Sequence, residues 1–254
     1  MTSAPHIFIA TPCFNSSVTL PYMHSLIACM AEASQHNIKL TLSTLGSDAL
    51  ITRARNTLLH QFMTMTDASH ILFIDSDIGF EFSDILALLA AQKPIIGGAY
   101  PLKNHYWDDE TTHRIQQGEP AQTASLRYVG DNNSLNHENA STNHVVEVPY
   151  IGTGFMLLSR DAIQKLIVAY PQTQYSRIDA KQTGHTAATH AKAFALFDCI
   201  IHPTTQTYLS EDFAFCHRWA SLGGKIWLHR GFNLSHTGNT TFFGQLNNRL
   251  TKKL

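Results

Sequence analysis

Ile71-Leu72-Phe73-Ile74-Asp75-Ser76-Asp77 decides how this chain is read. Four apolar residues run without interruption into two carboxylates, the pattern of a strand buried on both faces that ends at a polar edge. In an open α/β sheet, ligands bind outside the carboxyl ends of the strands. Residues i and i+2 of an extended segment point the same way, about 6.6 Å apart. Asp75 and Asp77 at that spacing can reach one divalent cation or the phosphates bound to it. Oxygen ligands of this kind suit Mg2+ or Mn2+. The same two acids can also be no more than an acidic turn capping the next helix.

The segments around this strand alternate in type. Residues 6–12 and 38–45 are strand candidates before it, and 94–100 is one after it, with Gly97 and Gly98 inside. Helical spacing of apolar residues marks 21–34, 49–65 and 83–92, the last with Ser83 as N-cap. Beyond Lys103 the regularity stops. Residues 103–144 and 171–207 read as long polar loops. Between them, 145–151 is strand, Gly152-Thr153-Gly154 turns into apolar 155–158, and 161–169 is helix. A helix over 210–222 ends at Gly223-Gly224, a last strand covers 225–229, and a Gly/Asn/Thr-rich tail follows with Arg249, Lys252 and Lys253. This order predicts one α/β domain over 1–254 with a mostly parallel central sheet flanked by helices.

Composition excludes several classes. The 254 residues are 44% hydrophobic and 15% charged, too apolar for a disordered chain. Lys plus Arg number 18 against 19 Asp plus Glu, which argues against nucleic-acid binding driven by a basic field. No stretch has the roughly 18 apolar residues a membrane span requires; peripheral membrane contact stays open. Met1-Thr2-Ser3-Ala4-Pro5-His6 lacks the basic and apolar segments of a secretion signal. Cys13, Cys29, Cys199 and Cys216 form no CxxC pair, so free thiols in the cytoplasm are expected. The sequons at Asn15, Asn132, Asn139, Asn233 and Asn239 then read as chance. His105, His113, His137, His144, His185 and His190 are scattered without HxxxH or HExxH spacing, against a zinc hydrolase.

Asp75-Ser76-Asp77 after its apolar strand resembles the DXD motif of nucleotide-sugar glycosyltransferases of the GT-A fold, of the family-2-like kind. Ile9-Ala10-Thr11-Pro12-Cys13-Phe14-Asn15 is similar to that family's first strand and nucleotide-facing loop. Arg53-Ala54-Arg55-Asn56 resembles the helix before the DXD strand, and Gly152-Thr153-Gly154 the glycine turn near the acceptor. Ser210-Glu211-Asp212 resembles the xED motif, and His236 the late metal-binding histidine. The match spans residues 6–240.

The resemblance implies a single Rossmann-like GT-A domain, with a nucleotide-binding half over 1–102 and an acceptor-binding half over 103–254. It implies Mn2+ or Mg2+ held by Asp77 and His236 with Asp75 assisting. Thr11, Pro12, Cys13, Asn15, Arg53, Asn56, Asp75 and Ser76 would contact the donor nucleotide. Asp212 would be the base and Glu211 would orient the acceptor. Tyr100, Lys103, Gly152, Thr153 and Gly154 would line the sugar or acceptor pocket. The partners implied are a nucleoside diphosphate sugar, a UDP-sugar above others, and a hydroxyl of a glycan or glycoconjugate, with hexosyl or deoxyhexosyl transfer and inversion.

Plainer readings stand beside these. Acids in a first helical turn are favoured by the helix dipole alone. A lone histidine often only hydrogen-bonds in a loop, Arg53 and Arg55 can be solvated surface charge, and glycines can simply make turns. The end of the second strand, Leu45-Gly46, lacks the acid with which relatives read uracil, and the nearest acid is Asp48. The QxxRW motif of processive synthases is missing from Gln245–Leu250. One alternative is a nucleotidyltransferase that makes nucleotide sugars. The glycine-rich basic loop it normally carries is replaced here by Thr11-Pro12-Cys13-Phe14-Asn15. The other is a non-catalytic module that binds nucleotide sugars.

Overall fold

The computed structural model describes residues 4–130, 144–176 and 192–246. His137, His185, His190, the sequons at Asn132 and Asn139, and Arg249, Lys252 and Lys253 lie outside them. In chain order the elements are β1 (His6–Cys13), α1 (Leu20–Ala33), β2 (Lys39–Gly46), α2 (Ile51–Met65), β3 (His70–Ile74), β4 (Ile78–Gly79), α3 (Phe82–Ala90) and β5 (Ile95–Gly98). Then come α4 (Asp109–Gln116), α5 (Ala121–Ala124), β6 (Val145–Val148), β7 (Phe155–Ser159), α6 (Arg160–Ala169), β8 (Gln174–Tyr175) and β9 (Ala193–Phe194). The last are β10 (Ile200–Ile201), β11 (Tyr208–Leu209), α7 (Glu211–Ala220), β12 (Ile226–His229), β13 (Ser235–Thr237) and β14 (Thr241–Phe243).

Seven strands form the central sheet in the order β2-β1-β3-β7-β5-β12-β6. β1 is parallel to β2 and β3, and β12 is parallel to β5, while β7 and β6 run against their neighbours. The sheet is thus mostly parallel by strand direction. β3 lies near its centre, and its side chains alternate between faces. Ile71 and Phe73 share one apolar layer with Leu58, Leu59 and Phe62 of α2, Ile163 and Leu166 of α6, and Phe215 of α7. Leu72 and Ile74 share the other with Tyr22 and Cys29 of α1 and with Ile85 and Leu88 of α3. Burying each such side chain contributes about 1.5–3 kcal/mol, which pins β3 in place and leaves Asp75 at the strand's carboxyl edge. Arg160 closes the far end of α2: its Nε donates to Ala68 O at 2.7 Å and its Nη2 to Phe62 O at 2.9 Å.

The structure departs from the sequence reading in four places, one of them the expected loop 171–207, whose described residues carry the short strands β8, β9 and β10. α3 is capped by Glu81 rather than Ser83, in a reciprocal pair with Asp84 whose Oδ2 accepts from Glu81 N at 2.8 Å. The cap lies earlier because apolar Phe82 already opens the helix. The segment expected to be loop from Lys103 carries α4 and α5. Asp108 caps α4 through Thr111 N at 2.9 Å and also binds Arg127 Nη2 at 2.6 and 2.8 Å. Polar composition hid this local capping. The tail expected after the last strand forms β13, which pairs with β14 and with β4. Segments this short have no periodicity to read. All four cysteines are free, as expected.

Candidate active site

The carboxyl ends of β3 and β5, the turn before β7, the first turn of α7 and strand β13 converge on one locus. The turn after β3 delivers the acids: Ile78 N donates to Asp75 O at 3.1 Å and Asp75 N to Gly154 O at 3.0 Å. Thr19 binds Ser76 O through its amide at 2.9 Å and its hydroxyl at 3.3 Å, so the loop after β1 is tied to the acidic turn. β13 pairs His236 with Ile78 and Ser235 with Gly79, and Thr237 N donates to Asp77 O at 2.9 Å. This pairing brings His236 to Asp77 across more than 150 residues of sequence.

Asp77 has two unlike oxygens. Oδ2 accepts from Lys103 Nζ at 2.5 Å. Oδ1 is buried and has no hydrogen-bond partner among the described residues; His236 Nε2 stands 3.3 Å away, within ion-pair range but off hydrogen-bond geometry. His236 Nδ1 lies 2.7 Å from Pro101 O. A carbonyl only accepts, so Nδ1 carries a proton, and Nε2 is the ring nitrogen turned toward the carboxylate. Burial pushes the Asp77 carboxyl up, but His236 and Lys103 outweigh it and hold the group below the usual carboxylate range. Among the described residues no set of three His, Cys, Asp or Glu is placed to hold a metal. The donors here are two, a carboxylate oxygen and an imidazole nitrogen.

Arg55 is the residue the sequence reading undervalued. Arg55, Leu58, Leu59 and Phe62 stand at i, i+3, i+4 and i+7, so this arginine lies on the buried stripe of α2. Its side chain is 4% exposed. Nη2 donates to Asp75 Oδ1 at 2.9 Å and Nε to Glu211 Oε1 at 3.2 Å, while Nη1 is buried without a partner among the described residues. Asp212, the next acid, accepts from Ser210 Oγ at 2.5 Å and from Phe213 N at 2.8 Å through the same Oδ1. Burial, and then the Glu211 charge, raise its pKa above the ordinary carboxylate value.

Tyr100 ties these groups together. Its buried ring meets the His236 ring edge-on at 5.3 Å between centroids, and its Oη accepts from Gly154 N at 3.1 Å. Burial and the charges of Asp75 and Asp212 push its phenol pKa up. A Cβ on Gly152 would lie 2.4 Å from Tyr100 Oη, and one on Gly154 2.6 Å from Tyr100 Cζ. The two glycines therefore make room for the tyrosine. Thr153 between them is buried, and its Oγ1 is unpartnered among the described residues.

Other predicted residues lie elsewhere. The Thr11 hydroxyl is engaged inside the core with Tyr22 Oη at 2.7 Å, and Pro12 and Cys13 are buried in β1. Asn15 is exposed, with φ of 56°, in the short turn after β1. Arg53 points out to Asp48 at 2.8 Å. Asn56 is buried, donates to Asp198 Oδ1 at 3.2 Å and accepts from Phe197 N at 2.9 Å.

No family model matches the chain, and comparison with curated proteins finds no match. Solved structures to which it is similar include A197 from STIV, with TM-score 0.46, 15% identity, and 95% of this chain and 94% of that one covered. A glycosyltransferase involved in the glycosylation of the major capsid of PBCV-1 gives TM-score 0.34 and 13% identity over 71% of each chain. CMP:2-keto-3-deoxy-manno-octonic acid synthetase complexed with CTP gives TM-score 0.37 and 10% identity over 88% of each. Likeness at this level carries nothing about activity.

Proposed function

We propose that the protein transfers a sugar from a nucleoside diphosphate sugar to an acceptor hydroxyl, with a divalent cation at Asp77 and His236. The observation that carries this is the buried Asp77 Oδ1, without a hydrogen-bond partner among the described residues and 3.3 Å from Nε2 of His236. With His236 neutral, its Nε2 lone pair and Asp77 Oδ1 face one point, and a cation held there relieves their repulsion. The proton that His236 gives to a backbone carbonyl is the usual support of a metal-bound imidazole. Two protein ligands leave room for diphosphate oxygens, as Mg2+ and Mn2+ sites prefer. When bound, the cation supplies Lewis-acid stabilisation of the negative charge on the departing diphosphate.

The chain's own residues supply the rest. Lys103, now on Asp77, is placed to turn to a phosphate oxygen. Asp212 takes the proton of the acceptor hydroxyl as that oxygen bonds to the anomeric carbon. The bond from that carbon to the diphosphate breaks, and the diphosphate leaves with the electron pair. A single displacement of this kind inverts the anomeric centre. The raised pKa of Asp212 brings it nearer the operating pH, which favours a general base. Arg55 holds Asp75 and Glu211 in place beside it.

The test is calorimetric titration with UDP, GDP and dTDP, with and without Mn2+, followed by a panel of their sugar conjugates assayed for metal-dependent release of nucleoside diphosphate. Binding that needs Mn2+ and is weakened about 10–100-fold in Asp77→Asn is expected. Failure of all three nucleotides to bind overturns the reading. Pyrophosphate release from a nucleoside triphosphate and a sugar phosphate replaces it with nucleotidyl transfer.

A further inference from the structure

We infer that the side chains between the cation site and Asp212 accept an uncharged sugar and turn away an acidic one. This rests on the transfer reading above. A sugar joined to a diphosphate at Asp77 and attacked beside Asp212 must lie between those groups. The polar side chains that the structure brings together there are Asp75, Glu211, Arg55 and Tyr100.

The charge in this space is already assigned. Arg55 is the cation, and two carboxylates claim it, Asp75 at 2.9 Å and Glu211 at 3.2 Å. Lys103 is held by Asp77 on the diphosphate side. Tyr100 stays neutral, and Asp212 adds negative charge whenever it is ready to act as base. The divalent cation is taken up by Asp77 and the diphosphate, so on the sugar side a carboxylate would face Asp75, Glu211 and Asp212 against the single guanidinium of Arg55, and like charges a few ångströms apart repel at reduced dielectric.

What remains open suits a hydroxyl. Arg55 Nη1 is a buried donor without an acceptor among the described residues. A sugar hydroxyl can accept from Nη1 and donate its own proton to Asp75 or Glu211, so all three polar groups are satisfied. A carboxylate can only accept, so it would leave those oxygens facing it without a proton. A buried donor of this kind costs about 1–3 kcal/mol while unmet, so its partner is an expected part of the bound state.

The experiment uses the full chain with Mn2+ and reads binding by calorimetry. UDP-glucose and UDP-glucuronate differ at C6 alone, CH2OH against a carboxylate, and GDP-mannose and GDP-mannuronate form a second pair. UDP and GDP alone serve as references. The neutral sugar is expected to bind at least as tightly as the bare nucleotide and the acidic one at least about tenfold more weakly, the scale of a repulsive contact in a partly screened site. Glu211→Gln removes one anion and is expected to narrow the gap; Asp75→Asn provides the same reading should the first variant fold poorly by thermal melting. Equal or tighter binding of the acidic sugar by the wild type overturns the inference while nucleotide binding leaves the transfer reading standing. An unchanged gap in folded variants also overturns it. Failure of every nucleotide to bind removes both.

Discussion

The two acid pairs of this protein, Asp75 with Asp77 and Glu211 with Asp212, start from the same chemistry and end in opposite states. In each pair the first acid is bound to Arg55. In each the second acid is the one the proposed reaction uses, and there the likeness stops. Asp77 faces Lys103 and His236 and is held more acidic than an ordinary carboxyl, as a cation ligand should be. Asp212 faces Glu211 in a buried setting and is held less acidic, as a base should be. One residue type is thus shifted in opposite directions because the neighbours differ, which is what the two proposed roles require. A single guanidinium from a third element keeps both pairs in register.

The largest expected effect comes from neutralising the acid assigned as base. Asp212→Asn should lower turnover by about 10²–10⁴-fold while Mn2+-dependent nucleotide binding stays unchanged. Rate assays beside calorimetry decide it, and a variant with wild-type turnover removes the base assignment. Next is the shared partner. Arg55→Met leaves two mostly buried carboxylates facing each other without counter-charge, and stability should fall by about 3 kcal/mol in urea unfolding. A loss under about 0.5 kcal/mol would put Arg55 among surface ion pairs instead.

Asp77→Asn should weaken Mn2+-dependent nucleotide binding by about 10–100-fold with melting temperature little changed. If binding survives at full strength, the cation lies elsewhere. The smallest effect is one of pH. Asp212 must be ionised to act, and its raised pKa means that activity falls on acidification before an ordinary carboxyl, near 3.9, would protonate. Asp77 has the opposite sign. Its folded pKa is lowered, so its contribution to stability is complete above the unfolded value and is lost only as pH falls through the folded one. The acid limb of a kcat/KM against pH profile should therefore lie above the range of an ordinary carboxyl, about pH 4. An acid limb below that range would remove the assignment of Asp212 as the base.

Much of the fold was legible because long apolar runs have only a few solutions. The strand 70–74 and the long helix before it stand where their periodicity puts them. Of the site, the acids and His236 were legible as residue types with ligand chemistry. Arg55 was not, because a charge on a helix reads as solvated until its place on the apolar stripe is weighed. Nor was the work of Tyr100 on Gly152 and Gly154, since a close approach between distant segments leaves no local pattern.

The sequence by itself determined that two carboxylates end a buried strand and two more open a helix, because hydrophobic burial and helix-end electrostatics act over a few residues. Only the tertiary structure decided which acid meets which cation. The antiparallel pairing of β13 with β4 set His236 against Asp77, and the packing of α2 under the sheet set Arg55 between Asp75 and Glu211. Charges act through space at a few ångströms, and only folding brings these side chains, far apart in the sequence, to that range.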